Sequence, residues 1–139
     1  MTKKHWVMDP GSGGQTIPNA VKSALTRRIE AYAAQHYAGQ FIRLGIRFRA
    51  QFCYIDAYQE PTIAKGWPPD DWPETLEEFT ERLRNVPIHL CRLRYFGDDR
   101  WGFAFYTYSN EQYELALFPN GTFYGTPEEA FAASAVFLS

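Results

Sequence analysis

The sequence predicts an α+β fold. It should be a single domain with an antiparallel sheet of five to six strands, covered on one face by a long N-terminal helix, plus a second short helix and a C-terminal helix. Three observations lead there. Apolar residues recur at helical spacing between Ile17 and Tyr37. They alternate with arginines between Ile42 and Arg49. From Ile88 to Gly125, short aromatic runs are broken at intervals by turn formers.

The first helix is the clearest element. Pro18 suits a first helical turn, where its missing N–H is no loss. Val21, Leu25, Ile29, Tyr32, Ala33 and Tyr37 form one stripe, and Lys22, Arg27, Arg28, Glu30 and Gln35 lie largely off it. Gly39 closes the segment, which gives a helix over 18–38. Ahead of it, residues 1–16 read as a flexible tail rich in turn formers (DPGSGGQ), which Trp6 and Val7 could pin to the body. The domain proper is 17–139.

Next comes a strand over 41–48. Ile42, Leu44, Ile46 and Phe48 alternate with Arg43, Gly45 and Arg47, so the apolar set should lie under the helix and the arginines should face away. A one-residue slip would expose four large apolar groups, at about 25 cal/mol per Å². A tight connection leads to a second strand over 51–58. Phe52, Tyr54 and Tyr58 lie on one of its faces, and Cys53, Ile55 and Ala57 on the other.

Residues 59–73 hold four of the nine prolines and two of the four tryptophans, Trp67 and Trp72. Proline fixes φ and removes donors, so this is a loop whose tryptophans should fold over something apolar. A helix over 74–86 follows, with Thr75 and Glu78 at capping-box spacing and Leu76, Phe79 and Leu83 as its buried stripe. Pro87 stops it.

The remainder reads as a meander of four strands. IHLCRLRYF, RWGFAFYTY, YELALF and TFYG are separated by GDD, SNEQ and PNG. Thr126 as N-cap, Pro127 in the first turn, and Glu128 and Glu129 at the positive end of the dipole then start a helix over 127–136, carrying Ala130, Phe131 and Val136.

Composition bounds the function. At 139 residues with 17% aromatics, the chain has enough apolar surface to exclude wholesale disorder. No apolar run approaches the roughly 20 residues that span a bilayer, and no secretory h-region is visible, so a cytoplasmic protein without membrane contact is expected. Cys53 and Cys91, far apart and without CxxC spacing, read as buried small hydrophobes. No cofactor and no metal site is expected; Asp70 and Asp71 could hold a metal, but two adjacent carboxylates alone are a weak signal.

Charge is uneven. Residues 1–50 carry +6 and residues 51–139 carry −8. This marks either a basic binding surface or internal complementarity. The outward set would include Arg43, Arg47 and Arg49, with Arg92 and Arg94 or their alternates. It would also include Tyr54 and Tyr58, with Tyr106 and Tyr108 if Trp101, Phe103 and Phe105 face inward. Guanidinium pairs with phosphate or carboxylate, and aromatic faces stack on bases. Cross-strand packing, cation–π contact or a dimer surface would use the same residues.

His89, two residues before Cys91, should share its face under strict alternation. That raises a Cys/His pair, with no oxyanion feature to support it. A pocket between the 59–73 loop and the sheet could instead gather His89, Asp56 and Tyr58.

The stretch His89 to Phe131 (HLCRLRYFGDDRWGFAFYTYSNEQYELALFPNGTFYGTPEEAF), with QFCYIDAY before it, resembles a family of short uncharacterised bacterial proteins. That family lends no activity, cofactor or functional residue. The expected function is therefore a non-enzymatic binding module acting through a protein interface, as accessory subunit or homodimer, with Trp67, Trp72, Tyr54 and Tyr58 as contacts. The alternative is binding of single-stranded RNA or DNA through the Arg43/Arg47/Arg49 and tyrosine face.

Overall fold

The structure, a computed structural model, describes residues 11–138. Its elements in chain order are α1 (Asn19–His36), β1 (Arg43–Arg49), β2 (Phe52–Tyr58), α2 (Leu76–Arg84), β3 (Ile88–Tyr95), β4 (Trp101–Thr107), β5 (Gln112–Ala116) and α3 (Pro127–Ser134), closed by a 3-10 turn at Ala135–Leu138. The five strands form one antiparallel sheet in the order β1-β2-β3-β4-β5. Each strand pairs with its sequence neighbours: hairpins join β1–β2, β3–β4 and β4–β5, and the segment 59–87 with α2 joins β2 to β3. Among the described residues no helix is long and apolar enough to cross a membrane.

Alternation sorts the side chains into two faces. Leu44, Ile46 and Phe48 of β1, Cys53, Ile55 and Ala57 of β2, Leu93 and Tyr95 of β3, and Trp101, Phe103 and Phe105 of β4 share the inner face. Leu25, Ile29 and Ala33 of α1 and Ala130 and Phe131 of α3 join them in one core, each of these five at 1% exposure or less. Fully burying a side chain of this size stabilises by roughly 1.5–3 kcal/mol, so this layer carries most of the fold. Both cysteines are free and buried in it.

Several ends differ from the sequence expectation, each for a local reason. α1 starts after Pro18, which stays extended at ψ 154° as N-cap, and it ends before Tyr37. Thr122–Gly125 is not a strand. Asn120 accepts from the Thr122 N–H at 2.8 Å and donates to the Tyr124 carbonyl at 3.1 Å, so a side-chain-closed turn satisfies the backbone. Gly125 alone of those four bridges to Trp101. Val136 is 66% exposed because the helix tightens to 3-10 at Ala135, which turns Ala135 and Leu138 inward instead.

Ile42, expected in the core, is 46% exposed. Strand pairing begins at Arg43, and Ile42 lies at a surface groove lined by Gly39 and Gln59. The pinning of the tail by Trp6 and Val7 falls outside the described residues. Residues 11–16 depart from the expected free tail: Gln15 donates its backbone N–H to the Tyr95 carbonyl at 2.8 Å, and Arg94 donates to the Gly13 and Gly11 carbonyls.

Two reciprocal capping boxes start the short helices, Thr75 with Glu78 and Thr126 with Glu129. Trp67 and Trp72 fold onto Phe79 of α2, with ring centroids 6.3 and 6.2 Å from it and 5.2 Å from each other.

Candidate functional site

The outer face is built by the same alternation. Cross-strand register places Arg43, Arg47 and Arg49 of β1 opposite Tyr58, Tyr54 and Phe52 of β2. Tyr54 and Phe52 in turn lie opposite Arg92 and Arg94 of β3. Tyr106 of β4 pairs with Tyr113 of β5 on the same face. Five guanidinium groups therefore share this surface, and Asp56 is the one carboxylate among the outward residues of the described strands.

Four of the five guanidinium groups lie over rings. Arg43 lies over Tyr58 at 3.9 Å, Arg47 over Tyr54 at 4.7 Å, and Arg92 over Phe52 at 4.3 Å and Tyr113 at 5.3 Å; Arg94 shares Phe52 at 4.7 Å. A guanidinium laid flat on a ring is held in place by cation–π attraction while its N–H edge stays available for an anion. Arg43 donates to Asn85 Oδ1 at 3.1 Å, whereas Arg49 and Arg92 have no carboxylate within salt-bridge distance among the described residues.

The acidic half of the chain spends its charge elsewhere. Glu60 and Glu81 hold Arg84, Glu74 holds Arg82, and Asp99 and Glu128 hold Arg28. Internal complementarity thus engages Arg28, Arg82 and Arg84 of the helices, and Asp56 engages Arg47 of the sheet.

The irregular point of the sheet sets the chemistry of the site. Ile55 pairs with Cys91, but Asp56 pairs with His89, so Leu90 is an extra residue in β3. Leu90 and Cys91 are both fully buried. This β-bulge reverses the phase of the strand and aims His89 outward, as bulges near functional surfaces commonly do. His89 Nδ1 then sits 2.8 Å from Asp56 Oδ1. Asp56 is 4% exposed, and its second oxygen meets Arg47 Nη2 at 3.4 Å. The His89 backbone N–H is satisfied by the Tyr108 hydroxyl at 2.9 Å.

The expectation that His89 shares a face with Cys91 is therefore corrected. Cys91 lies in the core, where burial pushes its thiol up to about 12. Burial likewise drives the Cys53 thiol well above its ordinary value. Neither is a nucleophile at neutral pH.

An open pocket of about 440 Å³ lies here, lined by Arg47, Phe48, Arg49, Tyr54, His89, Tyr106 and Tyr113. The Tyr106 ring centroid is 4.6 Å from that of His89 and 5.1 Å from that of Tyr113. The Tyr113 hydroxyl is buried with no hydrogen bond to any described residue. Burial, with the Asp56 charge nearby, raises its pKa.

Of the residues singled out from sequence, the structure gathers Arg47, Arg49 and Tyr54 at this pocket. Arg43 and Tyr58 share the face but lie outside the pocket lining, and Trp67 and Trp72 belong to the separate cluster on Phe79. The expected grouping of His89, Asp56 and Tyr58 under the 59–73 loop resolves differently. Asp56 and His89 meet, but none of residues 59–73 lines their pocket. Tyr113 was missed, since YELALF names no face by itself.

Comparison with protein-family models, curated proteins and solved structures returns no match for this chain.

Proposed function

We propose that the protein binds single-stranded nucleic acid across the outer face of its sheet. The observation that supports this reading is the charge pattern: five arginines on one face, four of them over aromatic rings, with one carboxylate that is shared between Arg47 and His89. Stacked guanidinium edges suit phosphates, and tyrosine rings offer base-stacking surfaces worth roughly 1–3 kcal/mol per base. Five strands at about 4.8 Å spacing span roughly 19 Å, the width of a few extended nucleotides. The sheet exposes single-stranded recognition surfaces better than it would fit a duplex groove, because sequence-tolerant stacking needs splayed bases.

The test is fluorescence anisotropy with labelled single-stranded oligonucleotides. The triple variant Arg47→Ala, Arg49→Ala, Arg92→Ala should lose most of the affinity at constant fold, checked by circular dichroism. Unchanged binding in that variant sinks the reading.

A protein interface is the second reading, and it has its own observation. Trp67 is 42% and Leu76 55% exposed beside the Trp72–Phe79 cluster, an apolar patch apart from the basic pocket. A homodimer or accessory subunit using that patch should show as a doubled mass in light scattering at micromolar concentration, and Trp67→Ala should remove it.

A further inference from the structure

We propose that the pocket at His89 seats one ribonucleotide and that His89 Nε2 accepts a hydrogen bond from its 2′-hydroxyl, so that the outer face takes RNA in preference to DNA. This rests on the nucleic-acid reading of that face and names its substrate class.

The argument begins at the bulge. Because Leu90 is inserted, His89 faces the pocket and its Nδ1 lies 2.8 Å from Asp56 Oδ1. A carboxylate oxygen accepts, so the ring proton of the neutral imidazole sits on Nδ1. Nε2 is then left with its lone pair, and it makes no hydrogen bond to any described residue. Asp56 is in turn held by Arg47, which fixes the pair from behind.

The other polar groups of the pocket are guanidinium donors and tyrosine hydroxyls, which can donate or accept. Arg47 and Arg49 supply guanidinium N–H groups, and the Tyr113 hydroxyl is buried with no hydrogen bond to a described residue. An imidazole acceptor beside cationic donors does not suit a phosphodiester alone, which has only acceptors to offer. It suits a group with a hydroxyl donor beside an anion. In RNA the 2′-hydroxyl lies next to the 3′-phosphate; in DNA it is missing, and this group is how proteins distinguish the two at a given site.

Arg47 places the anion subsite next to the hydroxyl subsite, since its guanidinium lies over Tyr54 at 4.7 Å and reaches the same carboxylate as His89. Tyr113 packs edge-to-face with Tyr54 at 5.5 Å and with Tyr106 at 5.1 Å, and these half-buried rings are the stacking surface proposed for one base. A pocket of about 440 Å³ has room for one nucleotide.

The experiment compares three labelled 12-mers of one sequence, as RNA, as DNA and as 2′-O-methyl RNA, by anisotropy at fixed salt. RNA should bind about tenfold more tightly than the other two. His89→Phe keeps a ring and removes the acceptor. Asp56→Asn can donate to Nδ1 and so turn Nε2 into a donor. Each should bring the RNA-to-DNA ratio to about one. His89→Gln, which retains an acceptor, should keep part of the preference. Imidazole ¹⁵N shifts of the free parent protein should report the Nδ1–H form, a signature that a merely structural Asp56 would not change on substitution. Equal RNA and DNA affinity in the parent, or a preference that survives His89→Phe, overturns this inference and leaves the binding face standing. Absence of binding to all three overturns the reading of the face itself.

Discussion

Asp56 and His89 are 33 residues apart in sequence, and their side chains meet at 2.8 Å because β3 carries one residue more than its partner. The extra residue, Leu90, drops into the core beside Cys91, and the histidine before it turns outward. Burial of one leucine, roughly 1.5–3 kcal/mol, is enough to offset the disrupted ladder. The placement of a polar pair on the outer face is thus a by-product of hydrophobic packing on the inner face.

That relationship gives the first prediction. Leu90→Ala should cost about 2–5 kcal/mol in urea or guanidinium unfolding, and His89→Ala less than about 1 kcal/mol. In a regular strand the ranking would reverse, with His89 inside and Leu90 on the surface, and a silent Leu90→Ala would exclude the bulge.

The β1–β2 hairpin contains a second testable detail. Ala50 has φ 53° in the two-residue turn between Arg49 and Phe52. A non-glycine residue there is strained by roughly 1–2 kcal/mol, while glycine adds about 0.5–1 kcal/mol of chain entropy to be lost on folding. Strain wins by a small margin. Ala50→Gly should raise stability by about 0.5 kcal/mol, seen as a midpoint shift of a few degrees at most.

Acid should weaken the fold at one identifiable joint. Arg28 of α1 donates to Glu128 at the start of α3 at 2.7 Å and to Asp99 in the β3–β4 turn at 2.6 Å. The Arg28 hydrogen bond holds the Glu128 carboxyl below the usual carboxylate range, against burial that works to raise it. A carboxyl depressed in the folded state contributes stability that is present above its unfolded value, near 4.3, and lost as pH falls through the folded value. The joint is partly exposed, so its contribution is about 1 kcal/mol at most. Arg28→Gln should lower the melting temperature at pH 7 and flatten the loss of stability below about pH 4 relative to the parent. Parallel pH profiles for the two proteins would remove Arg28 as the source.

The two thiols offer a simple check on the core. Cys53 and Cys91 are fully buried and free, with the Cys91 thiol pushed up to about 12 by burial. Neither should react with a thiol-specific chromogenic reagent at pH 8 until denaturant is added. Fast labelling in buffer would place at least one of them at the surface.

Much of the fold was legible because it depends on period. The helical stripe from Val21 to Ala33 and the Leu44/Ile46/Phe48 alternation each allow one packing direction, and both faced the core as expected. Arg43 and Arg47 are exposed for the same reason. The elements that misled were those in which local polar groups or chain ends compete with period, as at Asn120–Thr122 and Ile42.

The site was half legible. Arg47, Arg49 and Tyr54 follow from β1 and β2 alternation, but His89 needed the bulge. A signal for it is present in the sequence. Tyr95, Leu93 and Cys91 keep one phase, Leu90 and Ile88 keep the other, and the adjacent pair Leu90–Cys91 marks the break. Read as one strand of uniform alternation, that pair assigns His89 to the wrong face. Tyr113 is a different case, since its side is fixed by pairing with Tyr106, a contact between strands that no single segment encodes.

The salt dependence of single-stranded RNA binding tests the central claim most directly. Neutralising phosphates with four or five arginines should make log K fall with log salt at a slope near −3, at about −0.7 per phosphate for single strands. Arg92→Ala, which removes one charge that forms no salt bridge with a described carboxylate, should reduce that slope by about 0.7 and weaken all sequences alike. A slope near zero, or no measurable binding to an oligonucleotide at 50 mM salt, would contradict a nucleic-acid role for the outer face.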